Sequence, residues 1–277
     1  GITFSNTVVQ SGENNVLNYP YYFNGGGVAV GDINNDGLMD VYFSGNQVPD
    51  KLYLNKGNFE FEDITSSAGV SDPGGWKTGV TMADVNLDGW VDIYICRSAM
   101  ADSMLRQNLL FVNNGNLTFT EKAKEFGIAD DSYSTHASFF DYDRDGDVDL
   151  FVLNHSLPKY AGFNRLLKDY KKLKAPKNGR KLFRNVQGKI TDVSDEAGLI
   201  NNVLSYGLGI AVSDVNQDGW LDVYISNDFN EEDYLYINQK NGKFKNAIGE
   251  ATGHVSLFSM GSDVADINND ALPDIFT

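Results

Sequence analysis

The chain has 277 residues, is 42% hydrophobic, and carries a formal charge of −16 with three histidines and one cysteine. That length and apolar content can bury a large core, roughly 70–75% of the unfolded surface. A disulfide scaffold and a bilayer-spanning run of ~20 apolar residues are excluded, and the charge disfavours nucleic acid or an anionic membrane as a partner.

In chain order, residues 2–8 read as a strand, the fourth of a sheet with nothing before it. A short β-type run, Gly27–Val30, then enters an aspartate-rich turn, Asp32–Asp40, and Val41–Phe43 leaves it. A third run, Lys51–Asn55, and, after a glycine-containing hairpin, a fourth, Phe59–Thr65, complete the unit. β-branched and aromatic residues dominate these runs, as strands require. The order returns as Gly79–Met82, turn Asp84–Asp92, Ile93–Ile95, Asn108–Asn113 and Leu117–Phe119. It returns again around turn Asp141–Asp149 with Leu150–Val152, Lys181–Asn185 and Lys189–Val193, then as Gly209–Val212, turn Asp214–Asp222, Val223–Ile225, Tyr234–Asn238 and Lys243–Asn246. A fifth turn, Asp266–Asp274, runs into Phe276 and Thr277, inside a second strand.

First aspartates stand 52, 57, 73 and 52 residues apart, so the repeats start near 25, 77, 134, 207 and 259. A period near fifty points to a propeller or a solenoid array, and four antiparallel strands per repeat make one propeller blade. The expected fold is therefore all-β, one domain over residues 1–277: a β-propeller of four-stranded antiparallel blades with a calcium loop between strands 1 and 2 of each blade. About four full blades and partial ones are visible. Four cannot close a ring, so the expectation is part of a longer propeller; a five-bladed ring completed by residues 2–8 is the alternative and would lack a third strand.

Each turn reads Asp-x-Asn/Asp-x-Asp-Gly/Ala-x-x-Asp. Positions 1, 3 and 5 can turn oxygen-bearing side chains inward, position 7 can offer its carbonyl, and position 9 closes the shell. The candidate ligands are Asp32, Asn34, Asp36, Leu38 and Asp40; Asp84, Asn86, Asp88, Trp90 and Asp92; Asp141, Asp143, Asp145, Asp147 and Asp149; Asp214, Asn216, Asp218, Trp220 and Asp222; Asp266, Asn268, Asp270, Leu272 and Asp274. Hard oxygen donors without histidine or cysteine suit Ca2+, about one ion per loop and up to five in all. Sixteen aspartates stand at positions 1, 3, 5 and 9, and carboxylates so crowded disfavour their own ionisation without a cation. A single such turn could be an ordinary Asp-Asn-Gly turn; five in register argue for metal. Glycine at position 6 permits the left-handed backbone, and Ala271 in the fifth loop costs roughly 1 kcal/mol there. An EF-hand would need a glutamate at position 12, where Phe43, Ile95, Val152, Ile225 and Thr277 stand. Dockerin-type loops run into helices, whereas strands follow here.

The phrases Gly25–Leu38, Lys51–Asn55 and Phe61–Gly69 resemble the FG-GAP or VCBS repeats of integrin-α-like β-propellers, and more closely bacterial surface proteins of the ASPIC/UnbV and cartilage-acidic-protein type. The resemblance covers nearly the whole chain. It implies calcium between strands 1 and 2 of each blade, a ring of about seven blades, and lipoproteins associated with outer-membrane nutrient uptake or envelope complexes.

Loops of this sort fill at extracellular calcium, ~10⁻⁴–10⁻³ M, and would stay empty in cytosol, which places the protein outside the cytoplasm; the resemblance implies a bacterial outer-membrane surface or secretion. No signal-peptide pattern opens at Gly1, and a targeting segment removed earlier is compatible with that. Five bound dications would cancel ten of the sixteen negative charges. Cys96 reads as a buried reduced thiol.

Residues 156–180 form an insertion with Phe163, Leu166, Leu167, Tyr170 and Leu173 at helical spacing. Nine of the 22 basic residues lie there or just beyond it: Lys159, Arg165, Lys168, Lys171, Lys172, Lys174, Lys177, Arg180 and Lys181. A basic amphipathic helix is expected, either a contact patch for an acidic partner or a solvated face. Eight residues before each first aspartate stand Asn24, Trp76, Tyr133, Tyr206 and Phe258. The four aromatics form a ligand face for sugar or peptide, or pack between blades.

His136, His155 and His254 have no zinc spacing, and neither a nucleophile elbow nor a phosphate loop occurs, so no catalytic residue or enzyme activity is expected. The leading reading is a calcium-binding extracytoplasmic interaction or assembly module with a protein partner, an outer-membrane transporter or envelope complex, touching membrane only through a lipid anchor. The alternative is a carbohydrate-binding, lectin-like or polysaccharide-degrading propeller.

Overall fold

The computed structural model describes all residues except 73, 157–166, 176 and 230. Among the described residues the strands fall into four four-stranded sheets and one two-stranded sheet, each hydrogen-bonded in chain order. The first comprises β1 (Val28–Gly31), β2 (Asp40–Phe43), β3 (Lys51–Asn55) and β4 (Phe61–Asp63). The second comprises β5 (Trp76–Ala83), β6 (Asp92–Ser98), β7 (Leu109–Asn113) and β8 (Phe119–Glu121). The third holds β9 (Ser134–Phe140), β10 (Asp149–Asn154), β11 (Lys181–Val186) and β12 (Lys189–Asp192). The fourth holds β13 (Gly207–Ser213), β14 (Asp222–Asn227), β15 (Tyr234–Asn238) and β16 (Phe244–Asn246), and the short fifth pairs β17 (Asp263–Ala265) with β18 (Asp274–Phe276).

The chain forms two compact units, residues 1–137 with 187–190 and residues 138–186 with 191–277. In the first unit, Ile33, Tyr42, Leu52 and Leu54 of the first repeat meet Val80, Ile93, Ile95 and Phe111 of the second in one buried cluster. The second strands of the second, third and fourth sheets are buried along their whole length, which is why Ile93–Ile95, Leu150–Val152 and Val223–Ile225 read as continuous apolar runs instead of alternating ones, whereas β2 buries Asp40 and Tyr42 and leaves Val41 and Phe43 half-buried. A Cβ on Gly27 would stand 2.6 Å from the Val80 nitrogen, so glycine there lets β1 approach β5. Lys77 and Asp50 add a fully buried ion pair at 3.6 Å. In the second unit, Phe140, Tyr142, Phe151, Leu153 and Leu182 pack with Val223, Ile225, Tyr234 and Tyr236, while Tyr224, Leu235 and Ile248 are covered from the fifth sheet by Ile275. Cys96 is buried and unpaired by disulfide.

Two expectations need correction. Residues 2–8 form no strand: each of their polar contacts involves a side chain, the Thr3 N–H donating to the Tyr53 hydroxyl (3.2 Å) and the Asn46 backbone N–H to Asn6 Oδ1 (3.0 Å), and no backbone ladder forms. Arg180, counted among the basic residues of a surface helix, is fully buried. It donates to the Ile200 carbonyl and Asn227 Oδ1 and lies 4.1 Å from the Tyr234 ring centre. Of the expected helix, Leu167–Tyr170 is α-helical, and Phe163, Leu166, Lys159 and Arg165 lie outside the described residues. Lys171 pairs with Glu231 at 3.2 Å and Lys174 with Asp195 at 3.6 Å, so acids of the same unit neutralise part of this basic segment.

Candidate metal centres

All five aspartate turns lie between the first and second strands of their sheets, and in four of them the residue before the first aspartate pairs across the ladder with the ninth: Gly31 with Asp40, Ala83 with Asp92, Ser213 with Asp222, Ala265 with Asp274. The ladder thus closes the loop at a fixed length. Inside it the first aspartate accepts the N–H groups of positions 5 and 6, as Asp32 does from Asp36 (3.1 Å) and Gly37 (2.8 Å), and Asp266 from Asp270 (3.1 Å) and Ala271 (2.8 Å). The fifth-position carboxylate accepts from position 7: Asp36 from Leu38, Asp88 from Trp90, Asp145 from Asp147, Asp218 from Trp220, Asp270 from Leu272, all at 2.9–3.0 Å. These bonds wind the backbone around the carboxylates and hold them together.

Left-handed backbone at position 6 accompanies this winding. Gly37, Gly89, Gly146 and Gly219 have φ of 84–97°, and Ala271 adopts φ 67° despite its Cβ, as anticipated from its place in the pattern.

The ninth aspartate has a second task that its place in the pattern did not announce. Asp149 Oδ2 accepts from the Tyr142 N–H (3.0 Å) and its Oδ1 from the Asn185 N–H (2.8 Å); Asp40, Asp92 and Asp222 do the same with Asn55, Asn113 and Asn238. Each ties the start of its loop to the end of the third strand. The recurring Asn ending that strand was the available signal. Burial, reinforced by neighbouring loop carboxylates, pushes Asp149 up to about 7 and Asp92 up to about 6.

The third loop departs from the others. Where Asn34 and Asn86 donate an amide to the adjacent carboxylates of Asp36 and Asp88 at 2.9 Å, the third loop has Asp143. Among the described residues its Oδ1 is buried with no hydrogen-bond partner, and ligand oxygens of Asp141, Asp143 and Asp149 lie within 4.8 Å of one another. Burial, with the Asp145 and Asp141 charges, raises Asp143 against a smaller opposing pull from Arg184. A buried carboxylate oxygen without a donor, among like charges, fits a hard divalent cation. In the fourth loop Lys240 already stands 3.2 Å from Asp218. Position 8 anchors unevenly: Leu221 packs on the core, whereas Met39 is exposed.

Of the aromatic ligand face, Trp76 is buried against Tyr19 (5.8 Å) and Tyr22 (4.7 Å), and Tyr206 is buried between His155 (6.4 Å) and Phe229 (4.9 Å). Tyr133 carries the Arg106 guanidinium at 4.4 Å, Phe258 is exposed and Asn24 is exposed.

The FG-GAP-like repeat family matches residues 32–95, 99–152 and 178–277, with boundaries that fall on these loops and sheets. The chain belongs to this family. Among FG-GAP-like relatives, cartilage acidic protein 1 of Xenopus tropicalis is 30% identical over 227 residues, covering 81% of this chain and 31% of that protein. The Mus musculus protein of the same name is 28% identical over 230 residues, covering 81% and 32%. The chain therefore spans about a third of the relatives it matches. A solved Agrocybe aegerita lectin, described as recognising non-reducing terminal N-acetylglucosamine, aligns with TM-score 0.47 and 17% identity over 89% of this chain and 58% of its own; so low a likeness fixes neither fold nor ligand.

Proposed function

We propose that this chain is a calcium-stabilised β-propeller segment working outside the cytoplasm as an interaction module, without catalytic activity of its own. The observation that carries the reading is the five-fold repetition of one oxygen cage between the first two strands of each sheet, with the partnerless Asp143 oxygen in the third. Loop positions 1, 3, 5, 7 and 9 would hold the ion, which supplies the charge that lets the carboxylates stay ionised together.

Each four-stranded sheet reads as one blade. Val28 and Val30 are exposed, whereas Val80 and Met82, 52 residues on, pack into the cluster shared with the first repeat. Ile267 and Phe276 are exposed, whereas Ile33 and Tyr42, 234 residues earlier, are fully buried. Both faces fit further sheets of the same repeat, in keeping with a larger ring of about seven blades. A protein partner is proposed from membership of this repeat family and not from those faces. Its location on a bacterial envelope, with a transporter complex or a lipid anchor, rests on the family resemblance alone, since the relatives named above are from animals. A glycan reading would need a surface other than Trp76 and Tyr206, whose rings are packed away.

Melting the protein in chelator and in millimolar calcium tests the metal reading: occupancy at 100-fold the dissociation constant stabilises by about 2.7 kcal/mol per site, so the transition should rise markedly. An unchanged melt with ion content verified would overturn it. Mass spectrometry of proteins co-purifying from the native membrane or extracellular fraction tests the interaction role.

A further inference from the structure

We infer that the fourth residue of an aspartate loop positions the cage of the loop that follows it. In the first unit, Asn35 Nδ2 donates to the Gly89 carbonyl at 2.9 Å; in the second, Gln217 Nε2 donates to the Ala271 carbonyl at 2.5 Å. The acceptor is the sixth position of the next loop in both cases. Arg144 also reaches the following loop, by a different contact: its guanidinium lies 5.5 Å from the ring centre of Trp220 at position 7.

The accepted carbonyl belongs to a peptide whose other end is already engaged. Gly89 C=O and Trp90 N–H share one peptide plane, and the Trp90 N–H donates to Asp88 Oδ1 at 2.9 Å; Ala271 and Leu272 stand in the same relation to Asp270. A side chain from one loop thus fixes the peptide that aims a candidate ligand in its neighbour, and hydrogen bonds in series polarise one another. The fourth residue keeps left-handed backbone in all five loops, φ 56–61°, although Leu87, Arg144 and Gln217 are residues that rarely adopt it. A left-handed backbone kept at the equivalent place in every copy, even where the side chain disfavours it, marks a constrained position.

This rests on the reading that the loops hold calcium, and it deepens it: adjacent ions bind with linked affinities, since coupling between sites is reciprocal.

Terbium replaces calcium in the test. Trp90 and Trp220 stand at position 7 of the second and fourth loops, so in a Trp220→Phe background tryptophan-sensitised terbium emission reads the second loop. Asn35→Gly removes the donor, keeps a residue that tolerates positive φ, and alters an exposed position away from the cores. The terbium concentration at half-maximal emission should rise about fivefold, the equivalent of one net hydrogen bond. Asn269→Gly, in the fifth loop, should leave it unchanged. An equal midpoint in the Asn35→Gly protein, or an equal shift in both variants, would overturn the positioning role. Absence of calcium-displaceable emission in the parent would instead overturn the calcium reading beneath it.

Discussion

Asn113 Nδ2 donates to the carbonyl of Ile33 at 2.8 Å, joining the end of one sheet's third strand to the second residue of the preceding sheet's loop, eighty positions earlier. Asn238 repeats the bond to Tyr142 at 2.8 Å within the other unit. Both acceptors are buried, and the same asparagines offer their backbone N–H to the ninth aspartate. One side chain therefore secures two repeats at once.

Asn113→Ala leaves the buried Ile33 carbonyl without its donor, a loss of about 1–3 kcal/mol. Asn55 donates its amide only to the exposed Met39 carbonyl of its own sheet, so Asn55→Ala should cost less. Urea denaturation of the two variants in saturating calcium would rank them, and equal midpoints would contradict the cross-sheet tie.

Asp143→Asn should move stability in opposite directions with and without metal. In chelator it relieves repulsion with Asp141 and Asp149 and raises the melting temperature; in calcium it removes a charged donor and shrinks the gain that the ion brings. Paired thermal melts check both halves of this expectation.

The pH dependence should differ between the two states. Asp149 and Asp92 are raised by burial to about 7 and about 6, so in chelator their contribution is full below the unfolded value of 3.8 and is lost as pH rises through 6–7. His155 is depressed by burial from 6.5 to about 4, so its contribution is full above 6.5 and is lost as pH falls toward 4. In chelator the two trends partly cancel. Calcium holds the carboxylates ionised and leaves the histidine trend. Acidification from pH 7 to 5 should lower the melting temperature of the loaded protein more than that of the chelated one, and the reverse order would refute the assignment.

Much of this protein was legible in its sequence because the information is local. The spacing of Asp32, Asn34, Asp36, Gly37 and Asp40 specifies a turn through side-chain bonds to backbone N–H groups a few residues away, and the β-branched runs on either side specify strands through their own backbone preference. The left-handed Ala271 follows from the same local reasoning. Residues 2–8 misled for the complementary reason: a β-type composition makes a strand only where a free sheet edge accepts it, and here side chains of Asn46 and Tyr53 take up its polar groups. What only the tertiary structure decided were relations at a distance. They include the burial of Trp76, Tyr206 and Arg180, the double role of the ninth aspartate, and the reach of Asn35 to Gly89 and of Asn113 to Ile33. A single chain records which groups can donate and accept; which of them meet depends on how successive sheets stack, and that is set by packing summed over whole buried clusters.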